Sequence, residues 1–242
     1  MIKLINNDAA FNALNPFGIR IKALYAAYGG THLCRFYQDT LSGAVLAKYG
    51  DLLIIDSAVP VSEEIMDFCS VLGVKTILCS GEFELDKGKS AEGYILKYQT
   101  SERLQKQSDN MILLNDGFRE IYSLLSDSFD SSQLDFSDFY VDISHKVRHG
   151  CASSALVFSG NNPVSCAVAP FVSDSGAVIS AVCTDKTYRQ MGFGRCALLS
   201  LVDNLNSIGV SDIYVQIEDN SLLNFYCPLG FNVAGTWQEI KV

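Results

Sequence analysis

The chain has 242 residues, 48% hydrophobic and 19% charged, which is an ordinary balance for a globular protein with one large core or two smaller ones. A formal net charge of −9 argues against electrostatic nucleic-acid binding and is compatible with a cationic substrate. The eight cysteines form no C-x-x-C pair and show no metal-ligand spacing, so no metal is expected. The N-terminus lacks the apolar core of a signal peptide, and no apolar run is long enough to span a bilayer. A reducing, cytoplasmic setting without membrane contact is expected.

In chain order, Phe17–Tyr28 is predicted as a helix ended by Gly29-Gly30. Three strands follow over Cys34–Gln38, Ala44–Tyr49 and Leu52–Asp56, separated by Ser42-Gly43 and Gly50-Asp51 turns. Pro60 and Ser62-Glu63-Glu64 open a helix with Ile65, Phe68, Cys69 and Leu72 on one face, and Val74–Cys79 is a strand. The polar segment 80–110, with a strand at Tyr94–Tyr98 inside it, carries the expected domain boundary near residues 100–112. Helices are predicted at Gly117–Ser126 and Asp135–His149, then strands at Ser154–Phe158, Val164–Phe171 and Ala177–Cys183. A helix over Cys196–Ile208, a strand at Ile213–Ile217 and a short helix at Ser221–Tyr226 come next. Phe231–Val233 and Thr236–Ile240 read as a closing pair of strands. Each half thus runs helix, three meandering strands, helix, strand, an order consistent with an internal repeat.

The stretch Tyr188-Arg189-Gln190-Met191-Gly192-Phe193-Gly194-Arg195, between a strand and a helix, is a candidate phosphate cradle. Glycine lets the backbone approach an anion, and the first N–H groups of a helix lack internal partners. The same glycines match the dinucleotide pattern G-x-G-x-x-G/A, with Glu218 near the usual ribose-binding distance. A dinucleotide fold would need several more strand–helix units after the loop, and only about fifty residues remain. The corresponding point of the first half is Val59-Pro60-Val61-Ser62-Glu63-Glu64, whose carboxylates suit a helix start but repel phosphate.

Residues 112–242 resemble the GNAT superfamily of N-acetyltransferases. The resemblance rests on Arg189-Gln190-Met191-Gly192-Phe193-Gly194, similar to the family's R/Q-x-x-G-x-G/A loop. It rests also on Asn220-Ser221-Leu222-Leu223-Asn224-Phe225-Tyr226-Cys227-Pro228-Leu229-Gly230-Phe231, similar to N-x6-Y-x3-G-F with the asparagine one residue closer to the tyrosine. The implied fold is α/β, with a mixed, mostly antiparallel central sheet flanked by helices. The expected division is a catalytic unit at 112–242 and, at 1–105, either a degenerate GNAT-like copy, which would make two tandem copies, or an accessory domain.

The implied co-substrate is acetyl-CoA, and the implied reaction is direct transfer of its acetyl group to a primary amine in a ternary complex. The alternative is a non-catalytic acyl-CoA-binding or regulatory module. Partners are then a small-molecule amine, neither nucleic acid nor membrane, with a homodimer allowed. The resemblance places the pantetheine arm along Ala181, Val182, Cys183 and Thr184. It places the pyrophosphate at Arg189, Gln190, Met191, Gly192, Phe193, Gly194 and Arg195, with Asn220, Asn224 and Tyr226 also against the cofactor. Tyr226 is the implied general acid for the leaving sulfur. Glu218 is the candidate base, with Asp219 as its rival. His145 and His149 share a helical face as a basic helix end or as part of an acceptor pocket. Cys183 and Cys227 read as packing rather than as nucleophiles, and Trp237 and Phe231 as core.

Overall fold

The computed structural model describes residues 1–7, 10–12, 14–83, 88–99, 110–129 and 135–242. The expected boundary near 100–112 therefore lies mostly outside the described residues. Among the described residues no helix is long and apolar enough to cross a membrane.

The first half contains β1 (Ile2–Leu4), α1 (Pro16–Tyr28), β2 (Cys34–Asp39), β3 (Val45–Tyr49), β4 (Leu52–Asp56), α2 (Glu63–Leu72), β5 (Thr76–Ser80) and β6 (Lys89–Tyr98). The second contains β7 (Ile112–Leu114), α3 (Phe118–Ser128), α4 (Phe136–Arg148), β8 (Ser153–Ser159), β9 (Asn162–Ala169), β10 (Phe171–Ser173), β11 (Gly176–Ile179) and β12 (Ala181–Thr184). It closes with α5 (Phe193–Ser207), β13 (Ile213–Ile217), α6 (Leu223–Tyr226) and β14 (Phe231–Lys241). The repeat is visible in the pairing. β2, β3 and β4 form an antiparallel meander whose last strand runs parallel to β5. β8, β9 and β12 do the same, and β11 runs parallel to β13.

The strand predicted over Val164–Phe171 breaks at Pro170 into β9 of one sheet and β10 of the other, and two further expectations change. The closing pair of strands is one strand, β14, with an irregularity between Val233 and Gly235. One long strand fills the place between β5 and β6 and pairs with both. The ten-stranded sheet runs β1-β2-β3-β4-β5-β14-β6-β13-β11-β10. The halves have thus exchanged strands: β14, from the end of the chain, lies beside β5, and β6, from the first half, lies beside β13. At this crossing Gly93 approaches the next strand so closely that a Cβ would stand 1.9 Å from the Ile217 carbonyl oxygen. The second change concerns the strand predicted over Ala177–Cys183. It divides at Ser180: β11 stays with β13, while β12 becomes the edge of a separate four-stranded sheet, β12-β9-β8-β7.

Both faces of the main sheet are covered, which is why its strands read as continuous apolar runs rather than alternating ones. In β4, Ile54 packs toward α1, while Leu53 and Ile55 pack with Ile65 and Cys69 of α2. In β13, Val215 and Ile217 pack with α5, and Tyr214 turns to the α1 side. Helices α3 and α4 cover the β8–β9–β12 sheet through Ile121, Leu124, Leu125 and Ile143.

A buried polar cluster joins α1 and β3 to α4. Asp142 accepts hydrogen bonds from the hydroxyls of Tyr28 and Tyr49, each at 2.5 Å, and from Lys146 Nζ at 2.9 Å. Lys146 also faces the rings of Tyr49 and Phe171 at 5.0 and 4.8 Å. His145 stacks on Tyr28 at 4.9 Å and its Nε2 meets the Ala27 carbonyl at 2.9 Å. Burial works to raise the Asp142 carboxyl, but Lys146 and the two phenols together hold it below the ordinary range.

A depressed carboxylate contributes stability above its unfolded pKa and loses it as pH falls through the folded one. Asp142→Asn should therefore cost about 3 kcal/mol at pH 7, because it leaves Lys146 buried without its partner. The deficit should shrink below about pH 4, where the carboxyl of the unfolded wild-type chain protonates while the folded one still resists it. Urea unfolding at pH 7 and pH 3 checks this, and an equal deficit at both would refute it.

Candidate active site

The division at Ser180 opens the site. Below it β11 and β13 are paired; above it β12 leans away onto β9, and among the described residues no strand lies against the edge of β12 that would have met β13. In an antiparallel ladder every second residue turns its N–H and C=O away from its partner, so this edge offers backbone groups to whatever lies alongside. A cavity of about 680 Å³ fills the gap. Ala181, Val182, Cys183 and Thr184 form one wall and Val215, Gln216 and Ile217 the other.

The cradle closes one end. α5 begins at Phe193, three residues earlier than its apolar pattern predicts, because Gly192 at φ 88° serves as its N-cap. No side chain caps this end, and the first helical bond runs from Cys196 N–H to the Gly192 carbonyl at 3.0 Å. The N–H groups of Phe193, Gly194 and Arg195 are thus left for an outside acceptor. Gln190 also takes a positive φ of 60°. Gly194 lines the cavity, and a Cβ there would sit 3.0 Å from Thr184 Oγ1. Arg189 lines it too, with Nε 3.2 Å from the Thr184 carbonyl. The matching helix of the first half is closed to this use. In α2 the Ser62 side chain accepts from Ile65 N–H, and Glu63 and Glu64 occupy the first turn.

α6 supplies the remaining wall. Tyr226 is 6% exposed, wedged edge-on between Phe225 and Phe231, yet it faces the cavity. Burial pushes its phenol well above the ordinary tyrosine value, so it is protonated throughout the neutral range. Glu218 and Asp219 both lie on the rim. Asp219 is engaged: it accepts from Ser221 N–H at 2.8 Å and Ser221 Oγ at 2.6 Å, and these bonds hold its carboxyl below the usual range. That leaves Glu218 as the freer base.

The cavity brings together Ala181, Val182, Cys183, Thr184, Arg189, Gly194, Glu218 and Tyr226. Gln190, Met191, Gly192 and Arg195 form the exposed cradle at its end, and Phe193 points into the core below. Asn220 lines a neighbouring cavity of about 410 Å³ that shares Glu218 and Trp237 with the first. Asn224 is exposed on α6 and lines neither. Trp237 proves to be cavity wall rather than core; its Nε1 donates to the Ile217 carbonyl at 3.1 Å, and the strand exchange brings it there. Phe231 is core, fully buried. Ser128, Phe129, Gln216, Leu222 and Phe225 also line the cavity and carry no local motif that would mark them.

His145 and His149 sit at the junction with α1, away from the cavity. Cys183 lies opposite Cys166 with the sulfurs 3.2 Å apart, and Cys227 is exposed. No group of three His, Cys, Asp or Glu suited to a metal occurs among the described residues.

Whole-chain comparison decides what this architecture is. The tandem GNAT protein from the clavulanic acid biosynthesis pathway superposes over 100% of this chain and 98% of its own, with TM-score 0.63 and 8% identity. The chain has the GNAT fold, built twice. A GCN5-related N-acetyltransferase from Kribbella flavida matches 84% of this chain and 88% of its own at TM-score 0.61 and 14% identity. A GNAT-family acetyltransferase from Colwellia psychrerythraea matches 100% and 99% at TM-score 0.59 and 10% identity. No family model and no curated protein matches the sequence. The GNAT fold typically binds acyl-CoA, and the open β12 edge with the uncapped α5 end has the donors such a ligand uses.

Proposed function

We propose that the chain transfers an acetyl group from acetyl-CoA to a primary amine, with the site in its second half. The observation that carries this reading is the conjunction of three features around one cavity. They are the divided β11–β12 strand, the side-chain-free N-terminus of α5, and a buried protonated tyrosine. The α5 N–H groups with Arg189 and Arg195 would hold the diphosphate, and the free β12 edge would pair with the amide-rich pantetheine arm. Bound acetyl-CoA supplies a thioester-activated acetyl group.

The chain's own residues would do the rest. Glu218 would take a proton from the ammonium, directly or through water, so that the amine can attack. A backbone N–H of β12 near Val182 or Cys183 would donate to the carbonyl oxygen as it gains charge. Tyr226 would hold a proton at Oη for the departing sulfur. The Cys166–Cys183 pair has no histidine beside it, which favours direct transfer over an acyl-cysteine route.

The test is thiol release from acetyl-CoA across a panel of primary amines. Turnover with at least one is expected. Acetyl-CoA binding without turnover across the panel would favour a binding module instead. A second expectation concerns the cradle: Gly194→Val should weaken acetyl-CoA binding at least tenfold, because its side chain would fill the space between Thr184 and Phe225. Calorimetric titration reads this, and unchanged affinity would remove α5 from the site.

A further inference from the structure

One side of the cavity holds an arrangement that acetyl transfer alone does not require. Arg20, on α1 of the first half, is 7% exposed, and its guanidinium lies over the Phe171 ring at 4.7 Å. Among the described residues no carboxylate is paired with it, and burial lowers its pKa to about 10. It donates to Oε1 of Gln216 on β13, and its Nε has no partner among the described residues. That bond sets the orientation of the Gln216 amide. A guanidinium only donates, so the amide oxygen faces Arg20 and the NH2 group faces away. Nε2 is itself buried without a partner, and Gln216 is part of the cavity wall.

Unpaired buried donors are costly, and a buried cation without a counter-ion more so. Two orphan donors, and a positive charge with no carboxylate paired to it among the described residues, therefore stand together at and behind the cavity wall that Gln216 forms. An anionic oxygen brought to Gln216 would satisfy the amide and offset the charge behind it. Glu218, two residues along the chain, lies on the same cavity and offers the opposite charge. From these two ends we infer that the acceptor is an α-amino acid, its carboxylate received by Gln216 with Arg20 behind it and its amine turned to Glu218. Gln216 is then the specificity-determining residue, and Arg20 a positioning residue contributed by the half that lacks a phosphate cradle. The amine's fate rests on the acetyltransferase reading; the carboxylate site does not.

The test compares acceptors that differ only in the carboxylate: phenylalanine with phenethylamine, leucine with isopentylamine, lysine with cadaverine. The full chain should show kcat/KM at least tenfold higher for the amino acid in one pair or more. Gln216→Leu should erase that preference by raising KM for the amino acid. Gln216→Glu, which keeps the shape and pairs with Arg20 but repels a carboxylate, should reverse it. Arg20→Lys should retain part of the preference and Arg20→Met none.

Equal kcat/KM within every pair, or a preference that survives in both Gln216 variants, overturns the inference. Calorimetry on the same pairs separates this outcome from failure of the acetyltransferase reading. If no acceptor releases thiol, carboxylate-dependent binding lost in Gln216→Glu still supports the site. No binding of any amino acid, or equal binding of both members of each pair, refutes it.

Discussion

Replacing Tyr226 by phenylalanine is expected to lower kcat by about 100-fold while leaving acetyl-CoA affinity within about threefold, the size of effect usual for a positioned general acid. The substitution is well suited to the question because it separates packing from chemistry. The ring is held by Phe225 and Phe231 and is almost wholly buried, and phenylalanine keeps all of those contacts. No hydrogen bond to the hydroxyl is found among the described residues, so removing it leaves no protein partner unsatisfied. What is lost is the proton held for the sulfur. Because burial raises the phenol above its ordinary value, Tyr226 should also contribute no descending limb to the rate below about pH 10. Steady-state kinetics with calorimetric titration of acetyl-CoA checks both statements. A kcat within threefold of wild type would sink the assignment.

The second large effect concerns the halves. A fragment of residues 112–242 carries every residue of the proposed acetyl-CoA site, yet it is expected not to fold cooperatively on its own. In the intact chain β14 is flanked by β5 and β6, both from the first half, and β13 has β6 on one side. Cutting the chain would strip β14 of both neighbours at once. It would also uncover Phe231 and Ile217, which pack with Leu96 of β6 in one core. Buried ladder groups without partners and an exposed sheet edge are each unfavourable, and here they coincide.

Circular dichroism and urea unfolding of the fragment should show no cooperative transition, and co-expression with residues 1–105 should restore one. A fragment that unfolds cooperatively and binds acetyl-CoA by itself would show that the exchange is dispensable. The same exchange explains how α1 comes to lie behind a wall of the cavity. It packs across both halves of one continuous sheet and so delivers Arg20 to Gln216.

Much of the site was legible because its signals are local. Gly192 and Gly194 mark a loop that needs a positive φ and a close approach. Tyr226 with Gly230-Phe231 repeats a spacing set by one short helix and its return. Ser62-Glu63-Glu64 identified the other helix entrance as closed. The missed residues depend on distant pairing. Gln216 reads as an ordinary strand polar residue until Arg20, 196 positions away, is placed against it. Trp237 reads as core until β14 is seen to run as one strand past the cavity. His145 and His149 read as a basic helix end, and the Tyr28 ring gives His145 a structural place.

Taken by itself, the amino-acid sequence determined the helices, most of the longer strands and the cradle, since each depends on residues within a turn or two of one another, but not the short β1 and β7 or the strand breaks at Pro170 and Ser180. Only the tertiary structure decided which strands neighbour which. The apolar runs of β5, β6, β13 and β14 are covered on both faces and satisfy several sheet orders equally well. The exchanged order joins the two halves in one shared sheet, and it brings Trp237 to the cavity and Arg20 against Gln216 in the cavity wall.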